Sequence, residues 1–217
     1  MLILKKKRLH ENHCLDGHLY LTALIWSAIA PKDFYTWFLE VLPALIGVWV
    51  MAATRRRFPL TPLVYALILI HSLILMQGGH YTYAEEPFFN WLKEVMGWPR
   101  NNYDKLGHFA QGFVPAMVAR EILLRKAVVN GRGWLNFLVV CVCLAISAFY
   151  ELIEWWVAAL SGTGADAFLA TQGYVWDTQS DMGFALLGAI MALLLLEKEH
   201  DHQLVHYEYI QEEERKW

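Results

Sequence analysis

The feature that most constrains this chain is a series of long apolar runs, separated by short stretches that carry the charges. Of its residues, 57% are hydrophobic and 18% are charged. A soluble domain has roughly 45–50% apolar and about 25% charged residues. Runs of this length are typical of helices whose solvent is lipid, so we predict an all-α, polytopic transmembrane helix bundle of about six spans. No soluble fold accounts for the pattern.

Each apolar run is interpreted as one membrane span. A helix needs about 20 residues, within a range of roughly 17–25, to cross the hydrocarbon core. The first run is the shortest and the fifth is the longest, so the first has the weakest claim to span. The runs cover about His18–Pro31, Phe34–Ala53, Pro59–Gln77, Leu106–Leu124, Trp134–Leu160 and Thr178–Leu196.

The basic residues predict the orientation of the spans, because Lys and Arg stay on the cytoplasmic side of a membrane. With the N-terminus inside, the outer loops hold only Lys32, Lys93, Arg100 and Lys105. Both termini are therefore predicted to be cytoplasmic, which requires an even number of spans. The inner side holds Lys5, Lys6, Lys7, Arg8, Arg55, Arg56, Arg57, Arg120, Arg125, Lys126, Arg132, Lys198, Arg215 and Lys216.

Three regions follow from this topology: a basic cytoplasmic N-terminus over residues 1–17, the bundle over 18–196 and an acidic cytoplasmic tail over 197–217. His200, His202 and His206 in the tail are expected to lie on a solvated, charged face. Between the third and fourth spans, apolar residues recur with helical spacing from Phe88 to Met96. This pattern predicts an amphipathic helix near 87–98, either on the outer leaflet or packed on the bundle.

Glycines on the fourth and sixth spans indicate where those helices come close. Small residues let the backbones of membrane helices approach each other. The residues concerned are Gly107, Gly112, Gly183 and Gly188.

Ionisable residues inside spans cost about 2.5–3.5 kcal/mol at the bilayer centre even on mild scales, so each needs a reason. Here they occur as pairs on one helical face, such as Asp104 with His108 and Glu151 with Glu154. Because alternate spans run in opposite directions, all of them are expected in the outer half of the bilayer. The predicted outward-facing pocket comprises His80, Tyr81, Asp104, Lys105, His108, Gln111, Glu151, Glu154, Asp177 and Asp181.

Carboxylates and histidines together suit a divalent cation such as Mg²⁺, Mn²⁺ or Zn²⁺. No cofactor is identified from the sequence, and a divalent metal is the candidate. Paired carboxylates are also suited to acid–base catalysis or to locking helices together. The candidate metal ligands are Asp104, His108, Glu151, Glu154, Asp177 and Asp181.

Three functions remain open at this point. In the first, the pocket binds an anionic lipid or a cell-envelope head group, with Lys105 and His80 as contacts and a cation as a bridge. In the second, the chain is a metal-dependent hydrolase or transferase acting on a lipid-linked phosphate or ester. In the third, the polar groups only fix helix packing. The sequence offers no identifiable nucleophile or phosphate-binding loop, so whether the protein is an enzyme is open.

A membrane lipid is the expected partner of this chain, and a nucleic acid is not expected. The oligomeric state is open.

Several strings closely resemble the YjdF family of bacterial inner-membrane proteins of unknown function. They are GGHYTYAEEPF from Gly78, NNYDKLGHFAQGFVPA from Asn101, ISAFYELIEWW from Ile146 and FLATQGYVWDTQSDM from Phe168. The resemblance extends from about Ile29 to Leu195. It implies a multi-pass protein of the bacterial inner membrane, so the pocket is expected to face the periplasm. It implies no activity.

A weaker resemblance is to VanZ-like membrane proteins, some of which are linked to teicoplanin resistance. Those proteins have a DK-x-x-HF string that opens one span, matched here by Asp104, Lys105, His108 and Phe109. They also have a D-x-x-x-N string opening the last span, where Asp177 matches but Asp181 replaces the Asn. The resemblance implies a common pocket, not a common substrate.

Overall fold

The computed structural model describes the backbone of residues 17–161 and 166–215, and the side chains of 17–160 and 168–205. The described chain is helical and contains no strand, which confirms the all-α prediction. A 3₁₀ turn at Tyr83–Glu85 follows the third helix. The helices are α1 (17–28), α2 (Phe34–Thr54), α3 (Pro62–Tyr81), α4 (Pro87–Met96), α5 (Tyr103–Arg125), α6 (Arg132–Ser161), α7 (Asp166–Leu169) and α8 (Asp177–Arg215).

Within the described residues, four helices are long and apolar enough to cross a membrane: α2, α3, α6 and α8. The fourth predicted run lies in α5, which has 23 residues but carries charged groups at both ends and is not among the four. The first predicted run lies in α1, whose described part covers residues 17–28. The chain is thus a multi-pass membrane protein, and the total of about six spans stays a prediction.

Local sequence explains where several of these helices begin and end. The Asp33 carboxylate accepts the backbone N–H of Thr36 at 2.7 Å and caps α2. Pro62 occupies the first turn of α3, where its missing N–H costs nothing. Helix α4 is capped by Glu86, which accepts from Phe89 N at 2.8 Å, and it ends at Gly97 with a φ of 64°. The connections between spans are therefore defined turns.

Helix α5 lies at the centre of the bundle, where it packs most extensively on α8 and also on α6 and α3. The main apolar core joins these four helices and includes Val64, Val114, Met117, Val139 and Ala189. A second core, around Val41 and Met76, joins α1, α2 and α3. Helix α2 therefore reaches the centre mainly through α3.

The contact between α5 and α8 depends on two glycines. A Cβ at Gly112 would lie 2.6 Å from the carbonyl carbon of Ala185, and one at Gly188 would lie 2.9 Å from the backbone nitrogen of Phe113. Both positions therefore require glycine for the close approach of the backbones. The same expectation is wrong for Gly183, where a Cβ would meet nothing within 4 Å.

The long helices alternate in direction, which gives the bundle two chemically different ends. We call the end where α5 and α8 begin, with Asp104 and Asp177, the acidic end. The opposite end, with Arg125 and Arg132, is the basic end. Helix α8 continues unbroken to Arg215, and its 39 residues span about 58 Å at about 1.5 Å per residue. That is nearly twice the hydrocarbon thickness of about 30 Å, so its C-terminal part extends beyond the basic end.

Candidate functional site

A buried ion cluster joins α5 to α8 at the acidic end, with Lys105 at its centre. The ammonium nitrogen of Lys105 lies 2.8 Å from Asp177 Oδ1, 2.7 Å from Asp181 Oδ1 and 3.2 Å from Asp104 Oδ2. All four side chains are buried. A buried lysine with three carboxylate partners has little capacity left to recognise an anion. This arrangement argues against Lys105 as a direct contact for an anionic head group.

Arg100, which is not among the predicted site residues, completes this cluster from the loop before α5. Its Nη1 donates to Asp177 Oδ1 at 2.6 Å and to the Thr171 carbonyl at 3.1 Å, and its Nη2 pairs with Asp104. Burial lowers the pKa of Arg100, but the two carboxylates more than compensate, so the pKa lies above its ordinary value. A charged arginine therefore closes the cluster on the loop side.

His108 and Glu151 lie one helical turn deeper, beside Asp181. The Nε2 atom of His108 is 3.7 Å from Asp181 Oδ1, and its Nδ1 is 3.9 Å from Glu151 Oε1. The Nδ1 atom is also 3.1 Å from Gln111 Oε1. Glu151 Oε1 is buried and has no hydrogen-bond partner among the described residues. The structure therefore brings a histidine and two carboxylates from three helices to one point.

A cavity of about 810 Å³ opens from this point and continues along the bundle toward the basic end. Its polar end includes Glu40, Tyr83, Tyr150 and Glu154 in addition to the groups already described. Glu40 is only 3% exposed, and its Oε2 has no hydrogen-bond partner in the described part of the chain. Glu40 is not among the predicted site residues, although it is the one charged residue of the apolar run Phe34–Ala53 and ionisable residues inside spans are functional candidates.

His80 and Tyr81 lie elsewhere. His80 stacks near Trp26 of α1 with ring centroids 4.5 Å apart, and its Nδ1 is 3.1 Å from the Ser27 carbonyl. Tyr81 lies beside the same tryptophan, with centroids 6.1 Å apart. Neither residue lines the cavity. The structure therefore brings together eight of the ten predicted site residues and places these two at the contact between α1 and α3.

A second buried network occupies the basic end, centred on Glu121. This carboxylate is fully buried and accepts from Thr61 Oγ1 at 2.8 Å and from Arg125 at 2.7 Å. His200 Nε2 lies 3.1 Å from its second oxygen, and Arg120 lies 2.9 Å from the other nitrogen of His200. The network ties the extended part of α8 to α5 and to the connection before α3.

The expectation of a solvated face on the tail is therefore wrong for His200, which is fully buried, whereas His202 is exposed. Glu197 is also buried, between Arg120 at 3.2 Å and Arg132 at 2.5 Å. The physical reason is pairing, because charged residues become buried when partners from other segments neutralise them. Residues 216 and 217 of the predicted tail, and residues 1–16 of the N-terminal region, lie outside the described residues.

Comparison with known proteins places the chain in a family without assigning an activity. Residues 14–202 match the family model described as "Predicted membrane protein (DUF2238)". The chain is 57% identical over 181 residues to the inner membrane protein YjdF of Escherichia coli (strain K12), which covers 83% of this chain and 87% of that protein. No solved structure matches. The chain therefore belongs to the DUF2238 family, is similar to YjdF, and is a multi-pass protein of the inner membrane.

Proposed function

We propose that this protein binds a membrane lipid, with the head group at the acidic end and the hydrocarbon chain in a groove between α2 and α6. The observation that carries the proposal is the cavity of about 810 Å³, which is within the range of about 300–1,000 Å³ typical of ligand pockets. Its polar groups are concentrated at one end, and the rest of its lining is mainly apolar. This division matches an amphipathic ligand.

The groove is open on the side that faces lipid. Helix α2 packs on α3, and α6 packs on α5 and α8, whereas α2 and α6 do not pack on each other along their length. Along α5 the lining extends from Asp104 to Ile122 and continues to Lys126, a length of about 33 Å at about 1.5 Å per residue. This is close to the hydrocarbon thickness of about 30 Å. A lipid chain therefore has both an entrance and enough length to lie in the groove.

The charges at the polar end favour a particular head group. Arg100 and Lys105 are already paired with aspartates, and the groups that line the cavity include the carboxylates Glu40, Glu154 and Asp181. An uncompensated anion next to these carboxylates is unfavourable. The expected head group therefore offers hydroxyl or ammonium donors, or brings a phosphate together with a cation. This revises the earlier expectation of direct contacts from Lys105 and His80.

The acidic end is proposed to face the periplasm, so the head group comes from the outer leaflet. The support is the positive-inside rule, because Arg125, Lys126 and Arg132 lie at the opposite end. A green fluorescent protein fused after Trp217 should fluoresce, and an alkaline phosphatase fused there should be inactive. An active phosphatase would place the C-terminus outside and contradict this orientation.

Gly47 provides a direct test of the groove. It lines the cavity, and a Cβ there would meet nothing within 4 Å, so a side chain at this position begins in open space. Gly183 is the matched control, because a Cβ there also meets nothing within 4 Å but the residue does not line the cavity. Protein extracted in a mild detergent should retain one lipid species by native mass spectrometry.

We expect Gly47→Trp to lose this lipid and Gly183→Trp to keep it, with both variants folded by gel filtration. Equal lipid retention in the two variants would contradict the groove. If no lipid is retained by the unmodified protein or either variant, the purely structural role becomes the better account. The hydrolase or transferase hypothesis stays a prediction from the sequence.

A further inference from the structure

Three potential metal ligands from three helices converge at the head of the groove. His108 of α5, Glu151 of α6 and Asp181 of α8 each offer one atom within 4.8 Å of the others, and all three residues are buried. With Nε2 as the ligand atom of His108, its separation from Asp181 Oδ1 is 3.7 Å. Two ligands of a tetrahedral ion with bonds of about 2.0–2.2 Å lie about 3.4 Å apart. Small side-chain rotations therefore suffice to close the three ligands around one ion.

Potential acceptor atoms of His108, Glu151 and Asp181 lie close together. His108 Nδ1 lies 3.1 Å from Gln111 Oε1, and in the tautomer that donates to this oxygen Nε2 presents a lone pair toward Asp181. Glu151 Oε1 is buried without a hydrogen-bond partner among the described residues. Metal-bound histidines commonly donate their second ring N–H to an oxygen in this way, which fixes the ring. The arrangement calls for a cation between the three groups.

The charges of the surroundings point the same way. Two cations, Arg100 and Lys105, lie among the six carboxylates at the acidic end. Asp181 shares its Oδ1 with Lys105 at 2.7 Å, and a carboxylate oxygen retains a second lone pair for an ion. Three carboxylates, Glu40, Glu151 and Glu154, have no lysine or arginine partner among the described residues. The six carboxylates are Glu40, Asp104, Glu151, Glu154, Asp177 and Asp181.

A second group of three carboxylates, Asp104, Asp177 and Asp181, is also close enough to hold an ion. Its centre is already occupied by the ammonium of Lys105, and Arg100 pairs with two of its members. A further cation there would be repelled by both. The structure therefore distinguishes Asp104 and Asp177, which pair with both Lys105 and Arg100, from Glu151, which pairs with neither. Asp181 is common to both groups, and Glu154 belongs to neither.

We propose that His108, Glu151 and Asp181 bind one divalent ion of the class that includes Mn²⁺ and Zn²⁺. One imidazole nitrogen with two carboxylates suits these ions, whereas Ca²⁺ and Mg²⁺ prefer oxygen ligands alone. The ion lies where α5, α6 and α8 meet the groove. Its further role rests on the proposed function: open coordination positions bind phosphate or hydroxyl oxygens of the lipid head group.

The test is metal retention by the full chain, purified with a tag that contains no histidine. Metal-free protein in detergent is incubated with Mn²⁺ or Zn²⁺ and passed through gel filtration. The metal that stays bound is then measured by inductively coupled plasma mass spectrometry. We expect one equivalent per chain, and at least about tenfold weaker binding in His108→Gln. Asp177→Asn is the matched control, since it alters the neighbouring group of carboxylates and leaves the three ligands in place. It should retain the ion.

Electron paramagnetic resonance of the Mn²⁺-loaded unmodified protein supplies a readout that needs no variant. Coupling to one imidazole nitrogen is expected, and Glu151→Gln should weaken retention even if His108→Gln does not fold. Retention that survives in His108→Gln but is lost in Asp177→Asn would overturn the assignment, as would no retained metal or a spectrum without nitrogen coupling. Lipid is measured on the same samples. Metal without lipid would overturn the proposed function alone, and lipid without metal would overturn this inference alone.

Discussion

The contact between α5 and α8 makes a quantitative prediction for Gly112→Ala. The added Cβ would lie 2.6 Å from the carbonyl carbon of Ala185, whereas ordinary van der Waals contact begins at 3.4 Å. The two helices must therefore move apart by at least about 0.8 Å, because backbone atoms cannot rotate away as a side chain can. Such overpacking typically costs about 1–3 kcal/mol.

The same movement would lengthen the 2.7 Å contact between Lys105 and Asp181, which crosses this interface. Gly183→Ala is the matched control on α8, since its Cβ meets nothing within 4 Å and alanine favours a helix over glycine by about 1 kcal/mol. A difference of about 2 kcal/mol corresponds to about 4–8 °C in Tm for a chain of this size. Thermal unfolding in detergent, followed by circular dichroism, measures it. Equal Tm values for Gly112→Ala and Gly183→Ala would refute the reasoning.

Three further substitutions test other parts of the structure. Arg100→Gln leaves Asp104 and Asp177 without one of their cations, and the free energy of unfolding should fall by about 3–5 kcal/mol. Adding Asp177→Asn should recover part of this loss in thermal unfolding. No recovery in the double variant would refute the pairing. Glu121→Gln removes a charged acceptor from Thr61 and Arg125, so hydrogen exchange should increase along α8 near His200, and unchanged exchange would argue against the buried network. Asp33→Ala should cost about 1 kcal/mol at pH 7. The Thr36 N–H holds the pKa of Asp33 below its ordinary value. The difference in Tm between the unmodified protein and Asp33→Ala should therefore be complete above about pH 4. It should vanish as the pH falls through the pKa of Asp33 in the folded protein. A difference that persists in acid would exclude this cap.

The sequence alone predicts where the helices lie along the chain. It also predicts that the polar groups meet at one end of the bundle. Each predicted apolar run lies mostly within a helix, because a helix that crosses the hydrocarbon core is apolar over about 20 residues. Asp104, Lys105, Glu151, Asp177 and Asp181 meet because alternating spans bring the start of one helix beside the end of the next. Neither prediction requires knowledge of how each helix is rotated about its own axis.

The sequence does not predict how each helix is rotated about its axis, and this rotation decides which side chains meet. His80 lies on a helix that is apolar on every side, so no periodicity indicates which face meets α5, and its side chain points to Trp26 instead. Arg100 lies outside the apolar runs, where a basic residue needs no explanation, yet it closes the ion cluster. His200 is buried because Glu121 and Arg120 come to it from α5, a pairing between segments about 80 residues apart.

A cryo-electron microscopy map of the protein in lipid nanodiscs tests the central claim most directly. We expect one elongated lipid density between α2 and α6, with its head group beside His108 and Glu40 and its chain directed toward Lys126. The same map shows whether the ends of α5 and α8 that carry Asp104 and Asp177 share one side of the membrane. A groove filled by protein side chains, or a lipid whose head group lies at the Lys126 end, would contradict the account.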